Sequence, residues 1–501
     1  MPPVLVRCGT RKRYTDPVTS ILRRLRRRFG DEPGIGDASP GAPPPGMPAG
    51  DSPSSPPVPC HPPGSVPPSV AAPLDRGGEP REEVIERLRR RIASLDRRWK
   101  DGPPSASAAG AAERCRAAPE VLPGRLVETP RGRVRVISET VARHAGHGRF
   151  PVGAFSERPE RLAALGLLYR LRRAAHPERL VFLDTETTGL AGGAGTLAFL
   201  VGLAWLDGGD LRVEQLFLDH PRDEPALVHR LAERLAAFDH AVTYNGRAFD
   251  VPLLQNRFVL HRTPFPPLET SLDLLPGARR LHRRHLEDRS LSSIERHVLG
   301  FQRRDDIPGA EIPGIYQEFL FAGRTSRLAG VIRHNRWDVV ALAALLGLQA
   351  RVAATSAAEQ GLDATVDLAL GELHYQAGDL ERARSVLERA AARAEPGGAP
   401  WADAWTWLAR VHRRCGRHEE SAACWRRILE RLPDHGPAHL GLAKHHEHRT
   451  RDLELAERHA LAAAACGAED GGAATRRLAR VRSKREPPDD LQGRQQSPGG
   501  E

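Results

Sequence analysis

The chain has 501 residues, with 74 lysines and arginines against 63 acidic residues, a formal net charge of +11 and a pI near 9.9. That length exceeds one ordinary domain, and an excess that is almost all arginine favours a polyanionic partner such as nucleic acid unless it merely reflects a high-arginine proteome. No continuous apolar run of about 18 residues and no signal-peptide core is read, so neither a membrane span nor secretion is expected and a reducing cytoplasm is the default. The six cysteines (Cys8, Cys60, Cys115, Cys415, Cys424, Cys466) show no Cys-x-x-Cys spacing, which argues against a zinc ribbon or a disulfide framework.

Taken in order, the chain opens with Arg11-Lys12-Arg13 and then Ile21 to Phe29. Ile21, Leu25 and Phe29 share one helical face and arginines the other, which suits a surface-lying helix but more often a flexible basic tail. Gly30 to Glu79 is rich in Pro, Gly, Ser and Ala and lacks the apolar mass to offset chain entropy, so residues 1–80 are expected to be disordered. Val84, Ile85, Leu88, Ile92, Leu95 and Trp99 predict an amphipathic helix over Arg81 to Lys100, followed by a loose stretch to 118. Residues 119–178 form an extension: a hairpin around Pro130-Arg131-Gly132, then a helix over Glu160 to Arg173. His144 and His147 have no third ligand nearby, and a metal is not expected there.

Val181-Phe182-Leu183 then runs into Asp184-Thr185-Glu186-Thr187-Thr188-Gly189-Leu190. This reads as a buried strand carrying two carboxylates to its exit. Residues i and i+2 of a strand share a face, so Asp184 and Glu186 aim together. Two like charges held side by side call for a cation, although a solvated strand end would give the same spacing. The glycines of Ala191 to Thr196 lack the lysine of a phosphate-binding loop. Asp207-Gly208-Gly209-Asp210 between apolar runs is a hairpin signal. Glu224 to Phe238 is a helix. Val242-Thr243-Tyr244-Asn245-Gly246 is a strand entering a turn, after which Asp250 stands near a helix start at Pro252, where it would also serve as a cap. Arg279 to His285 is a basic run fit for phosphates or for a solvated face, and Asp273 is a further acid that is as easily structural. In the apolar-periodic segment from Val331 to Leu346, His334 and Asp338 lie one helical turn apart.

Four carboxylates in three segments, Asp184, Glu186, Asp250 and Asp338, form a hard oxygen set suited to Mg²⁺ or Mn²⁺. The segments Asp-Thr-Glu-Thr-Thr-Gly-Leu, Tyr-Asn-Gly-x-x-Phe-Asp and His-Asn-x-x-Asp resemble, in order, the three motifs of the DEDD superfamily of 3′–5′ exonucleases, and within it the bacterial YprB-like branch. The resemblance covers Arg179 to Val352. It implies an α/β ribonuclease H-like domain, a mixed sheet with flanking helices, over 179–352. It also implies hydrolysis of nucleic-acid phosphodiesters from single-stranded 3′ ends, two Mg²⁺ or Mn²⁺ ions on the four carboxylates, and His334 acting on the water. Thr187, Leu190, Tyr244, Asn245 and Phe249 would then contact the substrate. In that superfamily the catalytic His stands five residues before the last Asp and the four-residue spacing carries Tyr, whereas here His334 has the Tyr spacing. The competing class is a nucleic-acid-binding protein that does not cut, or a scaffold built on its repeats.

Beyond the third motif the chain repeats itself. Leu370-Gly371, Gly378, Ala383, Leu387 and Ala390 recur as Leu408-Ala409, Gly416, Ser421, Trp425 and Ile428, with a weaker copy from Leu442 to Ala456. The pattern resembles the tetratricopeptide repeat, a helix-turn-helix of about 34 residues. An all-α repeat domain for a protein partner is therefore expected over 362–470, with packing roles for Trp401, Trp405 and Trp407, no metal at His445, His446 and His448, and a disordered tail over 471–501.

Overall fold

The computed structural model describes residues 122–485 apart from 170, 172–174 and 190–194, without the side chains of 270 and 271. The basic N-terminal segment, the Pro/Gly-rich linker, the helix expected at Arg81 to Lys100, Leu190 with most of the glycine loop after it, and the chain beyond Arg485 lie outside the described residues.

The strands are β1 (Arg125–Thr129), β2 (Gly132–Val141), β3 (Gly146–His147), β4 (Phe150–Pro151), β5 (Leu180–Thr187), β6 (Ala198–Asp207), β7 (Asp210–Phe217), β8 (His240–Thr243) and β9 (Glu269–Asp273). All but β3 and β4 form one sheet in the order β1-β2-β7-β6-β5-β8-β9, antiparallel from β1 to β5 and parallel from β5 to β9. The N-terminal hairpin is thus part of the sheet, with β2 registered on β7 from Arg135 opposite Phe217 to Val141 opposite Leu211. The β6–β7 hairpin turns on Gly208 and Gly209, whose φ of 60° and 92° only glycine adopts readily.

Central strand β5 is covered on both faces, which is why its sequence is apolar without alternation. Leu180 and Phe182 belong to one buried cluster, Val181 and Leu183 to the other. Helices α1 (Glu224–Leu235), α2 (Asp250–Leu260), α3 (Leu274–His282), the single turn α4 (Leu291–Ile294), α5 (Ile312–Ala322) and α6 (Leu328–Ala354) supply the cover. One 18-residue window of α6 has a mean hydropathy of 1.4 and passes for a membrane span by length and composition, yet 78% of it is buried inside the protein. That apolar stretch, missed as a run because Arg, His and Asp interrupt its start, is the core helix of the domain.

Two expectations need correction. In place of an α-helix from Glu160, residues Pro159–Leu167 wind as a 3₁₀ helix. Leu162, Leu165 and Leu168 are all buried, and a three-residue spacing is the period of that tighter helix. The chain from 471 is not a disordered tail as far as Arg485. It forms a helix whose Val481 is buried, whose Arg480 meets Glu447 at 2.6 Å and whose Arg482 meets Glu457 at 2.6 Å, so a basic sequence that reads as solvated is held by acids of the preceding helices.

The repeats comprise α7 (Ala364–Ala377) with α8 (Leu380–Arg393), α9 (Ala399–Arg414) with α10 (His418–Leu429), and α11 (Gly436–His445) with α12 (Leu453–Ala465), closed by α13 (Gly471–Arg485). The end of the basic run, just after α3, meets this module: Arg283 and Arg284 reach Glu372 at 2.7 and 3.0 Å, and the His285 ring bonds the Thr365 hydroxyl at 2.7 Å. Those three side chains already have polar partners within the protein.

Candidate metal centre

Pairing of β5 with β8 ends at Phe182 opposite Val242, so the last residues of β5 run past the end of β8 with their backbone still bonded to β6. Asp184 and Glu186 occupy this overhang. Into the same space comes the start of α2. The chain leaving β8 reverses at Asn245, whose φ of 64° is the left-handed conformation Asn tolerates. Asp273 fixes the turn by accepting the Asn245 and Arg247 amides at 2.7 and 3.3 Å while also capping α3, so its carboxylate is structural. A Cβ on Gly246 would lie 2.6 Å from the Thr243 Cβ and 2.9 Å from the Asp250 Oδ2, which only glycine avoids.

Asp250 is the first residue of α2 and does not cap it; instead its Oδ1 accepts the Thr185 hydroxyl at 2.5 Å. From the opposite side α6 brings His334, Asn335 and Asp338. Asn335 donates to the Asp184 Oδ2 at 2.9 Å, and its own Oδ1 accepts Gln215 at 2.9 Å, which fixes the amide's orientation. Room for this contact comes from Gly202, opposite Asp184 on β6, where a Cβ would stand 2.3 Å from the Asn335 Oδ1. Asp184, Glu186, Asp250 and Asp338 thus stand near enough for their charges to act on one another.

Their electrostatics are those of a site short of positive charge. Burial, then Asp338, Asp250 and Glu186, hold the Asp184 carboxyl well above its usual range. Burial, then Asp338 and Asp250, push Glu186 up to about 8. Asp250 is raised by burial, opposed by the Thr185 hydroxyl. Asp338 is raised by burial despite Arg303 and His334. Buried like charges of this kind bind a cation or take up protons, so the residues present fit a hard divalent ion. Glu186, His334 and Asp338 can each direct one donor atom to a common point, all within 4.8 Å of one another.

A fourth segment was missed by sequence reasoning. Arg303 reaches the Asp338 Oδ1 at 2.5 Å and the Glu295 Oε2 at 2.7 Å. Glu295 in turn bonds the buried His147 ring at 2.7 Å. Asp306 holds the His334 Nδ1 at 2.7 Å. Arg303 to Asp306 lies in a mixed-charge loop with no periodicity, and nothing in its spacing marks it. Of the expected substrate contacts, Phe249 is 62% exposed beside Asp250. Tyr244 turns its hydroxyl to the Arg289 carbonyl, and the Thr187 hydroxyl bonds the Gly189 carbonyl at 3.0 Å. Leu190 lies outside the described residues.

Comparison with known proteins agrees with this architecture. Residues 181–349 match the RNase_H superfamily, from β5 through most of α6, and residues 402–445 match the tetratricopeptide repeat. The chain is 32% identical over 300 residues to the uncharacterized protein YprB of Bacillus subtilis (strain 168), an alignment covering 58% of this chain and 71% of that one. With that identity over most of the relative's length, and the carboxylate-bearing strand and helix inside the RNase_H match, the chain belongs to the YprB family of the RNase H superfamily.

Proposed function

We propose that the protein is a metal-dependent nuclease of the DEDD type, a 3′–5′ exonuclease acting on single-stranded ends and releasing nucleoside monophosphates. The observation that carries this reading is the meeting of Asp184, Glu186, Asp250 and Asp338 at one strand exit, each carboxyl raised by burial and, for the first two, by the others' charge. These four residues would hold the two Mg²⁺ or Mn²⁺ ions, which supply Lewis acidity toward the phosphate and the attacking water. The chain's own part is placement. Asn335 fixes Asp184, Thr185 fixes Asp250, and Arg303 fixes Asp338, so the carboxylates do not splay when metal-free. The exposed ring of Phe249 offers a face on which a terminal base stacks. The repeats would receive a protein partner.

Incubation of the full chain with end-labelled single-stranded DNA and RNA, in Mn²⁺ or in chelator, tests the proposal. Cleavage that needs the ion and progresses from the 3′ end is expected, with Asp184→Asn lowering the rate by at least about 10²-fold. Binding without cleavage under every metal would make the protein a nucleic-acid carrier instead.

A further inference from the structure

His334 stands one turn before Asp338 on α6, and its two ring nitrogens face different partners. Nδ1 lies 2.7 Å from the Asp306 Oδ1. A carboxylate so placed accepts the Nδ1 proton and turns the Nε2 lone pair toward the site, the arrangement that orients metal-ligating histidines. Nε2 is 3.3 Å from the Asp338 Oδ2. Two donors each about 2.1 Å from one ion, at roughly tetrahedral to octahedral angles, stand about 3.0–3.4 Å apart. Among the described residues, Glu186, His334 and Asp338 each offer one donor atom within 4.8 Å of the other two.

Asp338 has little else to offer. Its Oδ1 is taken by Arg303, and moving Arg303 away would remove the guanidinium from the fully buried carboxylate of Glu295, leaving it the His147 ring. A single oxygen, Oδ2, is left to face an ion, so a neighbouring donor is needed where a bidentate carboxylate would otherwise close the shell. We infer that His334 is a direct ligand, through Nε2, of the divalent ion held by Glu186 and Asp338, with Asp306 as its positioning residue. The inference rests on the metal centre proposed above and departs from the water-activating role that the sequence resemblance implies. One imidazole among carboxylates shifts preference from Mg²⁺ toward Mn²⁺ and later transition ions.

The test is metal binding by the full chain, read by pulsed electron paramagnetic resonance and by titration with Mn²⁺. Wild type is expected to show nitrogen modulation of the bound Mn²⁺, and His334→Gln to lose it. Mn²⁺ affinity should fall about 10–100-fold in His334→Gln and also in Asp306→Asn, which leaves the imidazole in place and serves if the first variant does not fold. The fall for Mg²⁺ should be smaller in both. Absence of nitrogen modulation in wild type overturns the inference. So does a His334→Gln variant that binds Mn²⁺ as wild type does while cleaving 10²–10⁴-fold more slowly, the signature of a group acting on water. Nitrogen modulation in a protein that cleaves no nucleic acid would sink the nuclease proposal and support the ligand assignment.

Discussion

Glu186 shows most directly what a crowded carboxylate does to the fold. Its carboxyl is pushed up to about 8, first by burial and then by Asp338 and Asp250. In the unfolded chain a glutamate has released its proton well below that, near 4.3. Between those values the folded state without metal binds more protons than the unfolded state, so its stability falls as pH rises through the window and levels off above it. In chelator, wild type should therefore lose melting temperature from pH 5 to pH 8.5 more steeply than Glu186→Gln, which has no charge to neutralise. The gap at pH 8.5 should reach about 1–2 °C, the scale of roughly 1 kcal/mol in a chain of this size. Saturating Mn²⁺ should reverse the order, because the variant has lost a ligand and gains less from the ion. Parallel pH slopes for the two proteins in chelator would show that Glu186 carries no such strain. The two carboxylates of β5 were legible from their i, i+2 spacing. Arg303, Asp306 and Gln215 were not, since each acts through a tertiary contact that leaves no local pattern.

At the scale of elements, the site depends on how closely α6 approaches β6. Gly202 marks the approach: a methyl there would stand 2.3 Å from the Asn335 Oδ1 and 3.0 Å from the Val339 Cγ1. Gly202→Ala should push the helix off the strand and destabilise the protein by about 1–3 kcal/mol, the usual cost of overpacking. Urea unfolding measures it, and an effect below about 0.5 kcal/mol would mean that the helix gives way freely. Strands, hairpins and repeats were readable because periods of 2 and 3.6 and the Gly-Gly turn are local signals. The 3₁₀ helix at Pro159–Leu167 was misread as α because a buried residue every third position also fits an α-helical face. Helix α13 was misread because its stabilising partners, Glu447 and Glu457, stand 25 or more residues away in sequence.

For the whole molecule, the division between nuclease core and repeats is less clean than the sequence suggested. Leu362, Val366, Leu370 and Val386 belong to the same buried cluster as Phe182 and Leu345. The ion pairs across the seam, Arg283 and Arg284 with Glu372, are partly exposed and worth about 0–1 kcal/mol. Burial of four aliphatic side chains is worth several times that, at about 1.5–3 kcal/mol each. Glu372→Ala should accordingly cost little, whereas truncation after Val352 should strip the cover from the core and leave a fragment that melts far below the full chain or precipitates. A fragment as stable as the parent would show that the seam is a mere contact. The repeats themselves were legible from Gly378 and Gly416, both left-handed turns at φ of 84° and 76°, while the third repeat hid the same turn at Arg451, with φ of 59°.

Helix α6 runs for 27 residues, with Asp338 in its first half and Val352 near its end. At 1.5 Å per residue those two positions are about 21 Å apart along a rigid rod. The repeats grip one end of that lever and the carboxylate rides on it. A tilt of about 3° pivoting at the gripped end carries the carboxylate by about 1 Å, and a displacement of that size is enough to change a rate by about 10²-fold. Torque applied to the repeats by a docked partner would thus reach the carboxylate without any new contact near it. Locking α7 to α3 with an engineered crosslink and measuring cleavage before and after reads that coupling directly.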